Sequence, residues 1–152
     1  MREPLNSIKN CQIVVINGDR NDEFEEKIKE ISKNINIYYS SYLPLNIKKL
    51  QNMNLLAFAG IGNPENFFNL LSKYSLTVKK AIPFPDHYNY TEKDIKILTS
   101  LANKNNLRLV TTEKDYFRLK YLKLNNNISY LPVELNIIEE EKFVKDLKEY
   151  IK

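Results

Sequence analysis

The apolar positions of the chain change their period several times, and each change marks an expected element. Cys11 to Asn17, "CQIVVIN", is a short β-branched run ending at Gly18, the pattern of a buried strand. From Asp22 to Lys33, Phe24, Ile28 and Ile31 recur at helical spacing among acids and lysines, which predicts an amphipathic helix with one apolar face. Ile35 to Leu45, "INIYYSSYLPL", is strand-like, and Pro44, with no N–H to donate to a neighbour, points to an edge or linker strand.

From residue 54 the alternation becomes regular. "LLAFAGIG" reads as a strand, and Asn63-Pro64 then supplies an N-cap and a proline at the first helical position. The helix that follows carries Phe67, Phe68, Leu71 and Tyr74. "TVKKAIPF" is the next strand, and Thr91 opens a helix with Ile95, Leu98 and Ala102 on one face. "LRLVTT" is a third strand, followed by a short helical run from Lys114 to Leu122. "ISYLPVELNI" is a fourth strand, and an amphipathic helix bearing Phe143, Leu147 and Tyr150 closes the chain. Four strands separated by crossovers of this length pair in parallel, so the expected fold is α/β: an open, mostly parallel sheet with flanking helices.

"TEKD" occurs twice, at Thr91 to Asp94 and at Thr112 to Asp115. A threonine three residues before an acid is close to the capping-box arrangement, and capping accounts for both copies.

Composition narrows the class. A chain of 152 residues with 43% hydrophobic and 28% charged positions suits one ordinary domain plus an appendage. The formal charge of +4 comes from lysines spread end to end, with no clustered arginine among aromatics, which argues against nucleic acid as a partner. The acidic stretches Asp22 to Glu30 and Glu139 to Glu141 read as solvated helix faces. One cysteine and one histidine supply neither a disulfide framework nor a zinc cluster, and they fit a reducing compartment. No stretch approaches the roughly 20 apolar residues of a membrane span, and "MREPLNSIKN" lacks the apolar core of a signal peptide.

In an open parallel sheet, ligands bind at the carboxyl ends of the strands. Gly60 to Asn63, Pro83 to Tyr90 and Thr111 to Lys114 each follow a strand, so the three loops should share one edge. Gly60 and Gly62 permit close approach of backbone, and the helix at Pro64 aims N–H groups at any anion there, although tight-turn glycines are also common without a ligand. Two readings stand side by side for His87: a solvated loop residue, and a donor to a phosphate or sugar hydroxyl whose tautomer Asp86 fixes. Lys114 sits where the helix dipole opposes a cation, and a salt bridge to a neighbouring carboxylate is the simpler account. The sequence contains no G-x-x-x-x-G-K-[ST] loop, no G-x-S-x-G elbow and no histidine pair, so no catalytic set is complete.

Five segments together resemble the tetraacyldisaccharide 4'-kinases, the ATP-dependent kinases of lipid A synthesis: "REPL" (2–5), "AFAGIGNPENFF" (57–68), "FPDHYNYTEKD" (84–94), "LVTTEKD" (109–115) and "LPVEL" (131–135). The likeness is to the carboxyl-terminal half of that family. It implies a P-loop-kinase-like carboxyl-terminal lobe with a short two-stranded linker, divided here into residues 1–50, a remnant of the amino-terminal lobe with one linker strand, and 51–152, the substrate lobe with the returning strand and final helix. The prolines near Tyr42 to Leu45 and Tyr130 to Leu135 would mark the linker pair.

The resemblance further implies that His87, with Asp86 beside it, helps bind the disaccharide phosphate. It sets Arg2 and Glu3 near the lobe junction and nucleotide, and places Gly60, Gly62, Asn63, Thr111, Thr112, Glu113, Lys114 and Asp115 along the cleft edge. ATP and Mg2+ would serve the complete enzyme, with none bound by this chain alone. The lipid A disaccharide precursor would be the partner, together with a separate amino-terminal P-loop polypeptide if the kinase is split. Membrane contact would come only through the missing half, at the cytoplasmic face of the inner membrane. A non-catalytic remnant and a standalone anion- or nucleotide-binding module remain the alternatives.

Overall fold

The computed structural model describes residues 3–122 and 127–151. The chain forms two compact units, Met1–Leu43 with Leu135–Lys152, and Pro44–Glu134. The closing helix belongs to the first unit.

In the first unit, β1 (Ile13–Asn17) and β2 (Asn36–Pro44) run parallel, with Ile13 opposite Asn36 and Asn17 opposite Ser40. The sheet is completed by β7 (Val133–Ile137) in the order β1-β2-β7, so β2 is the middle strand rather than an edge. Pro44 is compatible with this because it occupies the strand's last position. Among the described residues β1 has a strand partner on one side only, which is why "IVVI" is at most half-buried and Val15 is 40% exposed. Helix α1 (Asp22–Ile31) begins at Asn21, whose side-chain oxygen accepts the Phe24 N–H, and it buries Ile28. The last helix of the chain (Glu140–Tyr150) sets Phe143 edge-on to Tyr38 at 5.3 Å, and its Asp146 accepts the Tyr38 hydroxyl. Burial, reinforced by that bond, pushes the Tyr38 phenol up to about 12.

The second unit is the expected parallel sheet. Its strands are β3 (Asn54–Ala59), β4 (Thr77–Pro83), β5 (Arg108–Thr112) and β6 (Ile128–Leu131), in the order β4-β3-β5-β6 with all pairs parallel. β3 lies inside the sheet, and Leu55 to Ala59 are inaccessible to solvent. Side chains alternate along a strand, so one apolar run serves two cores. Leu55, Ala57 and Ala59 join Phe67, Phe68 and Leu71 of α2 (Pro64–Lys73). Leu56 and Phe58 join Ile95, Leu98 and Ala102 of α3 (Glu92–Lys104). A fully buried Phe or Leu contributes roughly 1.5–3 kcal/mol, so the two cores fix the register of β3 strongly. The edge strand β4 carries Lys79 and Lys80 within it, charges that discourage pairing with another chain.

The single strand expected over "ISYLPVELNI" is two strands. Pro132, without an N–H, separates β6, which pairs with β5, from β7, which belongs to the other sheet. The helical run after β5 starts one residue earlier than expected, as α4 (Glu113–Leu119), and ends in a 3-10 turn, Lys120–Leu122.

Candidate functional site

Parallel pairing sets Ala59 beside Pro83 and Phe58 beside Thr111, so β3, β4 and β5 end at one edge of the second unit. The loop after β4 is fastened there by backbone and aromatic contacts. Phe84 N–H donates to Ala59 O at 2.8 Å, and His87 N–H donates to Gly60 O at 3.2 Å. Phe84, Tyr88 and Tyr90 pack on one another with centroids 4.8 to 5.2 Å apart, and Phe84 and Tyr90 both lie edge-on to Phe58. A turn closes from Tyr88 N–H to Pro85 O, and it holds His87 at φ +57°, a left-handed conformation uncommon for a residue with a Cβ.

Beneath this loop lies Asp115, which is 0% exposed. One carboxylate oxygen, Oδ2, accepts the Gly60 N–H at 2.9 Å and the Thr112 hydroxyl at 2.8 Å. The other, Oδ1, faces Arg118 Nη1 at 3.1 Å. Arg118 Nη1 also donates to Gly60 O at 3.1 Å, and Nη2 stands 2.9 Å from His87 Nδ1. A buried carboxylate is tolerated only when paired and fully hydrogen-bonded, and Asp115 meets both conditions. The network thus joins the ends of β3 and β5 to the tip of the loop after β4.

His87 and Asp86 are the open members of the group. Their side chains are 62% and 49% exposed, and His87 Nε2 lies 3.8 Å from Asp86 Oδ1, beyond hydrogen-bonding distance. The partner that touches the ring is therefore Arg118 rather than Asp86.

Gly60 and Asp115 are buried in the network, and Thr112 is half-buried within it. A Cβ on Gly60 would lie 2.9 Å from Tyr90 Oη and 3.2 Å from Tyr88 Cβ, so the glycine makes room for packing rather than for a ligand. Gly62 is exposed, and a Cβ there would stand 3.5 Å from Asp86 Oδ2. Asn63 occupies the N-cap of α2 without a side-chain cap bond, contrary to the expected capping. Thr111 is buried and donates its hydroxyl to Phe58 O at 2.7 Å, a bond within the sheet. Glu113 and Lys114 open α4, and Lys114 is exposed without the expected salt bridge to a described residue. Glu3 is exposed in the first unit, and Arg2 lies outside the described residues.

Arg118 was the member missed by sequence reasoning. It is one of four arginines in a chain whose cations are otherwise lysines, and it stands three residues after Asp115 on a helix, within pairing distance.

The identical "TEKD" segments do different work. At α3 the Thr91 hydroxyl accepts the Asp94 N–H, and Asp94 Oδ2 accepts the Thr91 N–H at 2.8 Å, a closed capping box. At α4 the Thr112 hydroxyl likewise accepts the Asp115 N–H, but the carboxylate turns inward to Gly60 and Arg118.

Chemically, the edge offers one exposed imidazole on a rigid support. Among the described residues no three His, Cys, Asp or Glu side chains converge to hold a metal ion. Asp115 is committed inside the protein, to Gly60, Thr112 and Arg118.

The family model described as Tetraacyldisaccharide-1-P 4'-kinase matches residues 1–152. The tetraacyldisaccharide 4'-kinase of Pelagibacter ubique (strain HTCC1062) is 37% identical over 150 residues, covering 97% of this chain and 48% of that protein. That of Rickettsia canadensis (strain McKiel) is 40% identical over 150 residues, covering 93% of this chain and 44% of the other. The chain spans about half the length of the curated relatives it matches. In fold it is similar to the crystal structure of "apo" form LpxK from Aquifex aeolicus in complex with ATP, with a TM-score of 0.57 and 21% identity over 98% of this chain and 45% of that one.

Proposed function

Because the chain belongs to the tetraacyldisaccharide-1-P 4'-kinase family, we propose that its Pro44–Glu134 unit is the substrate side of an enzyme that moves the ATP γ-phosphoryl group to the 4'-hydroxyl of a tetraacyldisaccharide 1-phosphate in lipid A biosynthesis. The observation that carries the reading is the placement of His87. It is the only histidine of the sequence, lies at the carboxyl edge of a parallel sheet, and is exposed on a loop braced from below by Arg118 and Asp115. In this reading the imidazole donates to an oxygen of the sugar phosphate and Asp86 borders the same position.

Phosphoryl transfer needs residues that hold the nucleotide phosphates and magnesium. No P-loop motif occurs in these 152 residues, so those tasks are assigned to residues beyond them, on the same or a second polypeptide. The assembled enzyme would act at the cytoplasmic face of the inner membrane, where ATP and the lipid precursor meet. The described helices include none long and apolar enough to cross a membrane.

The test is equilibrium binding to the 152-residue chain, with the disaccharide carrying or lacking its 1-phosphate, alongside an ATP-dependent phosphorylation assay. The reading expects binding that depends on the phosphate and no 4'-phosphorylation by the chain alone. Equal binding of the two lipids, or turnover without any further polypeptide, would count against it.

A further inference from the structure

Helices cover both faces of the sheet in the second unit, and the two layers present different chemistry to solvent. α2 covers one face and exposes Glu65, Asn66, Asn69, Ser72 and Lys73, with no large apolar side chain among them. α3 and α4 cover the other face together, since Ile95, Leu98 and Ala102 of α3 and Leu119 of α4 pack with Leu56 and Phe58. With those residues turned inward, helical spacing puts Lys93, Ile97, Ser100 and Lys104 on the outer side of α3, and all four are exposed. Ile97 is 55% exposed, in a groove that Lys93, Lys96 and Lys104 also line. On α4 and the turn after it, Phe117 and Tyr121 stand about one helical turn apart, 49% and 88% exposed, and Lys114 is exposed ahead of Phe117.

An isolated exposed isoleucine is ordinary, but here three large apolar groups share one side of the unit with lysines around them. Lys96 has a carboxylate within reach, Glu92 Oε2 at 3.9 Å; among the described residues Lys93, Lys104 and Lys114 form no ion pair. Apolar tips ringed by uncompensated lysines match the boundary of an anionic bilayer, where the tips enter below the headgroups and the lysine stems carry their ammonium groups to the phosphates. A nucleic-acid backbone would engage the lysines but leave Ile97 and Phe117 without a task.

We propose that the outer face of α3 and α4 docks on the anionic surface of a lipid bilayer: Ile97, Phe117 and Tyr121 enter the headgroup boundary, and Lys93, Lys104 and Lys114 meet lipid phosphates around them. This contact lies within the chain itself, in addition to any made by residues beyond it. Both helices begin at the carboxyl edge of the sheet, so a bilayer beneath them lies beside that edge. A lipid-borne sugar phosphate then reaches the edge without leaving the headgroup region. That last step rests on the substrate-side reading; the docking does not.

The test is co-sedimentation of the 152-residue chain with phosphatidylcholine vesicles, with and without phosphatidylglycerol. Binding should require the anionic lipid and weaken as salt is raised. Lys93→Gln with Lys104→Gln should weaken it at least about tenfold, whereas Lys73→Glu on α2, which removes as much positive charge, should leave it nearly unchanged. The chain contains no tryptophan, so the emission of Phe117→Trp reports on that position alone and should shift to the blue on the anionic vesicles. Absence of binding, equal weakening by Lys73→Glu, an unshifted emission, or preference for a nucleic-acid duplex over the vesicles overturns the proposal. The vesicles hold no disaccharide, so the two ideas separate: docking on them by a chain that fails to retain the tetraacyldisaccharide 1-phosphate upholds the surface and removes the substrate-side reading.

Discussion

Asp115 Oδ2 accepts the backbone N–H of Gly60 at 2.9 Å, joining residues 55 positions apart and fastening the helix after β5 to the loop after β3. Because the same carboxylate holds Arg118, its removal leaves a cation and two donors without their acceptor. Asp115→Ala should lower stability by about 3–5 kcal/mol, the range for breaking a buried ion pair. Chemical denaturation of the two proteins checks this; a loss below about 1 kcal/mol would mean that the buried network is not formed.

Gly60→Ala tests the other end of that bond. The added methyl would meet Tyr90 Oη at 2.9 Å and Tyr88 Cβ at 3.2 Å, and both rings are wedged in an aromatic cluster. An overpacking cost of about 1–3 kcal/mol is expected. The His87 amide signal should shift as well, since its N–H bonds to Gly60 O.

Tyr90 predicts the opposite sign. Its hydroxyl is buried with no hydrogen-bond partner among the described residues, and burial followed by the nearby Asp115 charge pushes the phenol well above its ordinary value. Removing a bonded tyrosine hydroxyl typically costs about 1 kcal/mol, whereas removing an unsatisfied one does not. Tyr90→Phe should therefore leave the unfolding midpoint unchanged or raise it. A clear drop would reveal a bond to that oxygen.

The capping box of α3 should show itself in acid. The Thr91 hydroxyl, then the Thr91 N–H, hold the Asp94 carboxyl below its usual range. A carboxyl depressed by folding contributes stability above its unfolded value, and that contribution disappears as pH falls through the folded value. The stability advantage of wild type over Asp94→Asn should be full at neutral pH and fade in acid below the ordinary carboxylate range. Thr91→Ala should cost about 1 kcal/mol at neutral pH. A wild-type advantage over Asp94→Asn that stays constant with pH would show that the carboxylate has no part in the cap.

Much of the second unit was legible because its signals are local or periodic. The run Leu55 to Ala59 has the length of a doubly buried strand, and Ile95, Leu98 and Ala102 mark one helix face. The site's wiring was not legible, since it depends on contacts between distant loops. Two copies of "TEKD" have the same capping potential, and only the neighbourhood of Gly60 turns Asp115 inward while Asp94 stays at its cap. Arg118 gave a weak signal through its spacing from Asp115, but nothing local announces that its second nitrogen reaches His87. Pro132 was visible as a breaker, yet a strand ending and a strand changing sheets look alike until the partners are known.

The most direct test of the account is the affinity of the tetraacyldisaccharide 1-phosphate for wild type and for His87→Asn. Asparagine tolerates the left-handed backbone at this position, so the loop should survive the exchange while the imidazole donor is lost. A hydrogen bond to a charged oxygen contributes about 1.5–3 kcal/mol, so the account predicts an affinity at least about tenfold weaker in the variant. Equal affinity in the two proteins, with the fold intact, would contradict it.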